Sequence, residues 1–419
     1  MGALYRLAIW LYGAAIRLAA FRSAKARRWW AGRQNWPQTL RQKRDALPAA
    51  PLWVHVASLG ELEQALPVLA LLREKQPQLP FLISFFSPSG FEHYRSEDPL
   101  VQTTYLPLDT PRNAQIFVET LQPRAAWFVK YDVWPRYLEA LSRREIPTLL
   151  APALFRAGQI YFWPGAGAYF RQALSHFTVI LTQDEGSAKR IKPHLFKPVV
   201  VGGDPRFDRG LALRDSSYQP AFPVTEWQQR ERFTLVAGSS WPPEEEMLPA
   251  MLDAFPGLEL ILAPHDLSPG HLEKLEAAFG PYGLVRWSSG EAQRAARVLL
   301  VDTIGELKYL YRYGQAALVG GGFGKSVHST IEPMAYGLPL AFGPAHQKFL
   351  EPGALIKAGG AREISDVQAL LHWMTPLVEN AAEYQRQAAA TSRFFTGQTG
   401  ASQSIADTMT GLLKQTEEA

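Results

Sequence analysis

From Pro51 onward, short β-branched and aromatic runs alternate with longer amphipathic stretches, in two series separated by a break. In the first series Trp53–Ala57, Phe81–Phe85, Thr103–Leu106, Ala126–Val129, Thr148–Leu150, Thr178–Leu181 and Val199–Val201 read as strands. Helical patterns fall between them, as at Glu61–Glu74, Pro111–Leu121 and Trp134–Arg144. Strands alternating with helices of this length predict an α/β fold built on a parallel, doubly wound sheet. The rhythm stops near Gly210, and residues 211–232, polar and carrying Pro220 and Pro223, read as a linker. A second series follows at Thr234–Ala237, Glu259–Leu262, Leu284–Arg286, Val298–Val301, Ala317–Val319 and Pro339–Ala341. From Leu370 on the pattern is helical throughout.

A chain of 419 residues exceeds what one hydrophobic core usually supports. Two Rossmann-like domains are therefore expected, at residues 45–210 and 233–395, with a C-terminal helix at 396–419 returning toward the first. In such sheets ligands bind beyond the carboxyl ends of the strands, which predicts a site in the cleft between the domains.

Charge is concentrated at one end. Residues 1–44 hold ten of the 43 basic side chains and no acid, so the remainder carries 33 basic against 39 acidic groups, a formal −6. This argues against a nucleic-acid groove through the body and for a local contact with an anionic surface. Met1–Phe21 reads as a helix with Leu4, Leu7, Leu11, Ala14 and Leu18 on one face. Arg6, Arg17 and Arg28 follow a second stripe, and Trp10, Trp29, Trp30 and Trp36 add side chains that favour lipid headgroups. The charge-free run from Arg6 to Arg17 is shorter than the ~20 residues that span a bilayer. The segment reads as a membrane-interface helix, or else as one packed on its own domain with a solvated basic edge. There is no cysteine, which excludes disulfides and thiol nucleophiles and is compatible with the cytoplasm.

Several segments carry chemistry. Val319–Ser326 (VGGGFGKS) has Val319 where a phosphate-binding P-loop needs glycine, so that motif is rejected. What remains is a glycine turn of Gly320, Gly321, Gly322 and Gly324, then Lys325, His328 and a helix starting near Thr330. Such a turn suits a phosphate or carboxylate, or simply needs glycine for positive φ. Glu332 on the first helical turn either holds a ribose or only favours the helix dipole. Ser239, Ser240 and His265 follow the first two strands of the second series, where a nucleotide would lie. Asp302 reads as a cap for the helix carrying Leu307 and Leu310.

In the first series Glu61 opens a helix directly after the first strand. A carboxylate there is placed for general-base work, or is a dipole-stabilised helix acid. Ser87 and Ser89, Lys130 and Asp132, Arg156, and Asp204 with Arg206 follow other strands and are further candidates. No His/Asp/Glu cluster has metal-ligand spacing, so no metal is expected.

Taken in order, eight segments resemble the Kdo (3-deoxy-manno-octulosonic acid) transferase family over essentially the whole chain. They are KARRWWAGRQNW (Lys25–Trp36), WVHVASLGE (Trp53–Glu61), WFVKYDVWP (Trp127–Pro135), GDPRFDR (Gly203–Arg209), AGSSWPPEEE (Ala237–Glu246), LAPHD (Leu262–Asp266), VDTIGEL (Val301–Leu307) and Val319–Pro344. The form looks Bacteroidetes-like, with Ser329 where many members carry Asn and Lys130 where many carry an acid. The resemblance implies a GT-B glycosyltransferase, with two Rossmann-like domains and an N-terminal interfacial helix. It would transfer Kdo from the donor substrate CMP-Kdo to a lipid A precursor, with inversion, no metal and no further cofactor. It also implies a peripheral or monotopic place on the cytoplasmic face of the bacterial inner membrane. On it Glu61 is the base. Ser239, Ser240, His265, Gly320, Gly321, Gly322, Gly324, Lys325, His328 and Glu332 belong to the donor site. Ser87, Lys130, Arg156 and Arg206 are candidates for the acceptor or the Kdo carboxylate. The rival readings are another GT-B enzyme, using a UDP-sugar as a transferase or 2-epimerase, and a non-catalytic membrane-bound scaffold.

Overall fold

The computed structural model describes residues 2–218, 220, 232–290 and 296–418, so most of the stretch read as a linker lies outside the described residues. The chain divides into two units, Met1–Asp208 with Gly400–Ala419, and Arg209–Thr399.

The first unit is built on seven parallel strands: β1 (Leu52–Val56), β2 (Phe81–Phe85), β3 (Val101–Tyr105), β4 (Ala125–Phe128), β5 (Thr148–Ala153), β6 (Val179–Thr182) and β7 (Val199–Val201). Their order in the sheet is β3-β2-β1-β4-β5-β6-β7. Side chains alternate across it: Trp53, Phe128 and Leu150 join one core, and Val54, Trp127 and Leu149 the other. With both faces covered, the central strands are almost wholly apolar, which is why they are legible as continuous runs. The C-terminal helix Ala401–Glu418 completes the second core with Ile405, Met409 and Leu413. Asp208 ties its start by accepting the Gly400 and Ser402 N–H groups, each at 2.6 Å.

The second unit has β8 (Thr234–Ser240), β9 (Glu259–Pro264), β10 (Leu284–Arg286), β11 (Val298–Leu300), β12 (Ala316–Val319), β13 (Leu340–Phe342) and β14 (Ala361–Glu363). All pair in parallel, in the order β10-β11-β9-β8-β12-β13-β14. β14 has no counterpart in the sequence reading. It is an edge strand whose Arg362 and Glu363 are exposed, so it carries no apolar run. Nor do residues 211–214 behave as a linker. The helix Pro205–Arg214 runs through them, started by proline and by Asp204, whose Oδ1 accepts the Arg206 N–H at 3.0 Å.

The N-terminal segment is three helices, α1 (Gly2–Ala19), α2 (Ala24–Ala31) and α3 (Trp36–Asp45). Arg28 therefore lies on a different helix from Arg6 and Arg17, and the single basic stripe is broken at Ser23, which caps α2. The second and third helices belong to the body. Trp29 and Leu40 are buried, and Trp36 packs against the core beside Phe117. Arg33 is buried as well. Its guanidinium donates to the carbonyls of Leu106 (2.8 Å), Trp29 (3.0 Å) and Phe86 (2.7 Å) and lies 3.7 Å from the Trp29 ring centre. Burial pulls its pKa down to about 9.

In α1 the side toward the body is Gly2, Tyr5, Ile9, Gly13 and Ile16, at helical spacing. Tyr5 donates to the buried Asp109 at 2.6 Å, and a side chain at Gly13 would collide with Leu108. The leucine stripe faces outward: Leu4 is 63% exposed, Trp10 67% and Leu18 70%.

Candidate active site

The sheet order reverses between β1 and β4 in the first unit and between β8 and β12 in the second, where β11 is also inserted between β10 and β9. Ligand sites of doubly wound sheets form at the carboxyl ends of the strands flanking such a switch.

In the first unit those ends carry Glu61 and the Lys130–Asp132 turn. α4 (Leu59–Lys75) begins three residues after β1 and places Glu61 in its first turn. Glu61 is buried, and its Oε2 accepts the Ala57 N–H at 2.5 Å. Burial first, then repulsion from Asp132, pushes its carboxyl up to about 8, against the opposing pull of the Ala57 and Ser58 amides and Lys130. Lys130 turns the chain after β4 through a left-handed conformation, φ 69°.

Behind Glu61 lies a polar group that sequence reasoning passed over. His55 is completely buried on β1, and its register partner on β2 is Ser84. His55 Nδ1 and Ser84 Oγ are 2.8 Å apart, and the Trp53 indole N–H donates to the same Oγ at 2.7 Å. On the other side, Trp134 Nε1 donates to His55 Nε2 at 3.0 Å, and Asp132 Oδ2 lies 3.1 Å from that nitrogen. The available signal was a histidine and a serine on the core-facing side of two interior strands.

Of the other candidates of this unit, Arg156 acts on Tyr131 together with Glu61 and Asp132. Ser87 accepts the Ser89 N–H at 3.4 Å at the start of the short helix Pro88–His93. Arg156 is exposed, its N–H bonded to Gln159 Oε1 at 2.8 Å. Arg206 directs Nε (2.9 Å) and Nη2 (2.6 Å) to the buried Asp204.

In the second unit, β8 reaches Ser240, so Ser239 and Ser240 end the strand rather than follow it. Ser239 has φ 53°, where the register with β9 slips. Beyond them three rings stack: Trp241 on His265, and His265 on His328, with centres 4.6 Å apart in both pairs. Trp241 Nε1 donates to His328 Nε2 at 3.1 Å, so the His328 proton sits on Nδ1. Burial and the neighbouring His265 both pull the His328 pKa down. Beside this stack is a cavity of about 280 Å³, with Ser239, Leu307, Lys308, Tyr311, His328 and Glu332 in its wall. Lys308 is a cation that sequence reasoning missed, the second residue of the short helix Leu307–Leu310.

The glycine turn serves packing. A β-carbon on Gly320 would lie 2.1 Å from the Ser239 carbonyl oxygen, and one on Gly322 would lie 2.5 Å from the Gly343 nitrogen. Its amides are largely engaged within the protein. Gly320 N–H donates to Gly238 (2.9 Å) and Gly324 N–H to Gly321 (3.1 Å). The amides of Gly321 and Phe323 bear on the buried Glu244, opposing the upward push of burial on its pKa. Gly324 and Lys325 are exposed outside the cavity wall. Ser240 is buried and donates to Glu245 at 2.9 Å. Asp302 does not cap the Leu307–Leu310 helix. It accepts the Ser288 N–H (2.9 Å) and hydroxyl (2.6 Å) instead.

The family model described as 3-deoxy-D-manno-octulosonic-acid transferase (kdotransferase) matches residues 28–209. A 3-deoxy-D-manno-octulosonic acid transferase of Haemophilus influenzae is 25% identical over 80% of this chain and 81% of its own length. One from Bordetella pertussis is 26% identical over 86% of this chain and 87% of its own, and one from Aquifex aeolicus 27% over 78% and 86%. Over most of its length the chain is similar to Kdo transferases. Its fold is GT-B. The UDP-GlcNAc 2-epimerase of Neisseria meningitidis superposes with a TM-score of 0.59 at 14% identity, covering 86% of this chain and all of that one. MurG of Acinetobacter baumannii gives 0.53 at 16%, covering 87% of this chain and all of that one. At such identities the likeness to these two is one of fold alone. The matched range includes β1, which carries His55, and the start of α4, which carries Glu61.

Proposed function

We propose that the chain moves Kdo from CMP-Kdo to a hydroxyl of a lipid A precursor with inversion, Glu61 acting as general base. The observation that carries this reading is a buried carboxylate at the β1–β4 switch point, within the residues that match the Kdo transferase model. Ionised Glu61 takes the acceptor hydroxyl proton as that oxygen bonds to the anomeric carbon of Kdo. The bond from that carbon to the CMP phosphate oxygen breaks, and CMP leaves with the electron pair. In the second unit, Glu332 suits a ribose, the Trp241 ring suits stacking, Lys308 supplies positive charge for phosphate or carboxylate, and His265 can hydrogen-bond to either. Ser239, His328 and Glu332 share the cavity wall with Lys308, which supports their place in the donor site. Gly320, Gly321 and Gly322 shape the loop, and Ser240 supports it from beneath. Ser87, Lys130 and Arg156 are proposed on the acceptor side, with Arg206 held by Asp204.

The outward leucine face of α1, with Arg6 and Arg17 exposed along it, supports attachment to an anionic membrane. Among the described residues no helix is long and apolar enough to cross a bilayer, so the attachment proposed is peripheral.

Two outcomes test the site assignment. CMP should protect the protein from thermal unfolding more than UDP at equal concentration, because the donor is a cytidine nucleotide. Stronger protection by UDP would contradict it. The kcat/KM profile should rise with pH through an apparent pKa near 8, since the base works only after losing its proton. In Asp132→Asn, which removes the repulsion, the limb should move to lower pH. A profile flat from pH 6 to 9 would argue against Glu61 as base.

A further inference from the structure

The His55–Asp132 contact is electrostatically incomplete as the ring stands. Asp132 Oδ2 is enclosed by protein and has no hydrogen-bond donor, yet it lies 3.1 Å from His55 Nε2. While Nε2 accepts the Trp134 N–H, its lone pair and the carboxylate oxygen face each other. Two acceptors at that distance repel unless a proton lies between them, and an enclosed carboxylate without a donor is costly. Trp134 is only partly buried whereas Asp132 Oδ2 is enclosed, so the carboxylate oxygen has the greater need of a proton on Nε2.

We infer that His55 is a positioning residue of the transferase base: its Nε2 carries a proton donated to Asp132, which fixes the Asp132 carboxylate beside Glu61. The chain of bonds then has a direction. The Trp53 N–H donates to Ser84 Oγ, and Ser84 fixes the ring through Nδ1. Nε2–H donates to Asp132. Asp132 acts electrostatically on Glu61, as do Lys130 and the neighbouring backbone amides. The inference rests on the reading of Glu61 as base, but the His55–Asp132 coupling can be measured separately.

A double-mutant cycle on kcat tests it. His55→Leu should lower kcat at least 10-fold in the otherwise unchanged protein, with the KM for CMP-Kdo within 2-fold. In the Asp132→Asn background the same change should cost no more than 2-fold. His55→Gln, whose amide nitrogen can occupy the place of Nε2, should recover part of the loss. An equal loss in both backgrounds would make His55 a packing residue and overturn the inference.

Because a buried leucine at this position can impair folding, nitrogen-15 spectroscopy of the histidines in the unmutated full chain gives a second test. The His55 signal should show a proton on Nε2 at pH 7, lost from Nε2 in Asp132→Asn. A bare Nε2 in the unmutated protein would overturn the inference regardless of any variant. Glu61→Gln keeps the two readings apart. If it remains active, the base assignment fails, while the tautomer measurement still decides the His55–Asp132 bond.

Discussion

Glu61→Gln is expected to lose at least 100-fold in kcat and at the same time to melt at a higher temperature than the unmodified protein. The loss follows from removing the proton acceptor, a role worth about 10²–10⁴ in rate. The gain follows from linkage. In the fold the Glu61 carboxyl is pushed from 4.5 to about 8, so the folded state binds its proton more tightly than the unfolded chain does. The stability this group contributes is complete below its unfolded value and is lost as pH rises through about 8. Glutamine keeps the shape and has no proton to lose. Its advantage should therefore grow between pH 5 and 8, reaching on the order of 3 kcal/mol. Thermal melts of both proteins at pH 5.5 and 8 read the difference directly. A variant that is inactive and also less stable at pH 8 would identify Glu61 as a structural residue.

Changing Leu4, Leu7, Trp10, Leu11 and Leu18 together to Gln should release the protein from vesicles containing anionic phospholipid, with its melting temperature nearly unchanged. These side chains face outward, and the helix is held to the body by the opposite face, through Tyr5, Ile9, Gly13 and Ile16. Large apolar side chains stabilise burial by about 1.5–3 kcal/mol each, so even partial insertion of five predicts a loss above about 100-fold in partitioning. The basic residues add roughly 1 kcal/mol apiece near an anionic surface. Truncation at residue 44 is the wrong probe, because it removes Trp29, Arg33 and Leu40 from the body of the first unit. Co-sedimentation of the five-residue variant equal to the unmodified protein would show that α1 is not the anchor.

These two features were legible to different depths. Phe81–Phe85 is a strand in both sequence and structure, because a parallel strand covered on both faces reads as an unbroken apolar run. Val199–Val201 was legible from its β-branched residues alone, since it is an edge strand with Val200 and Val201 exposed. Ala361–Glu363 offered no such run, since an edge strand buries little. Glu61 was visible because a helix starting straight after a strand needs only local pattern. His55 was not, because its meaning depends on register with Ser84 across two strands and on a turn more than seventy residues away. The leucine stripe of α1 was readable, but not that the glycine and isoleucine face would be the one to pack. The glycine turn was read as needing positive φ, which Gly321 has at 84°; close backbone approach of Gly320 to Ser239 and of Gly322 to Gly343 excludes side chains there as well.

The most direct measurement is the reaction itself: the purified chain incubated with CMP-Kdo and a tetra-acylated lipid A precursor, with the product read by mass. The account predicts CMP release and a lipid heavier by one or more Kdo residues, absent with Glu61→Gln. An unchanged lipid, together with turnover of a UDP-sugar by the same preparation, would contradict it.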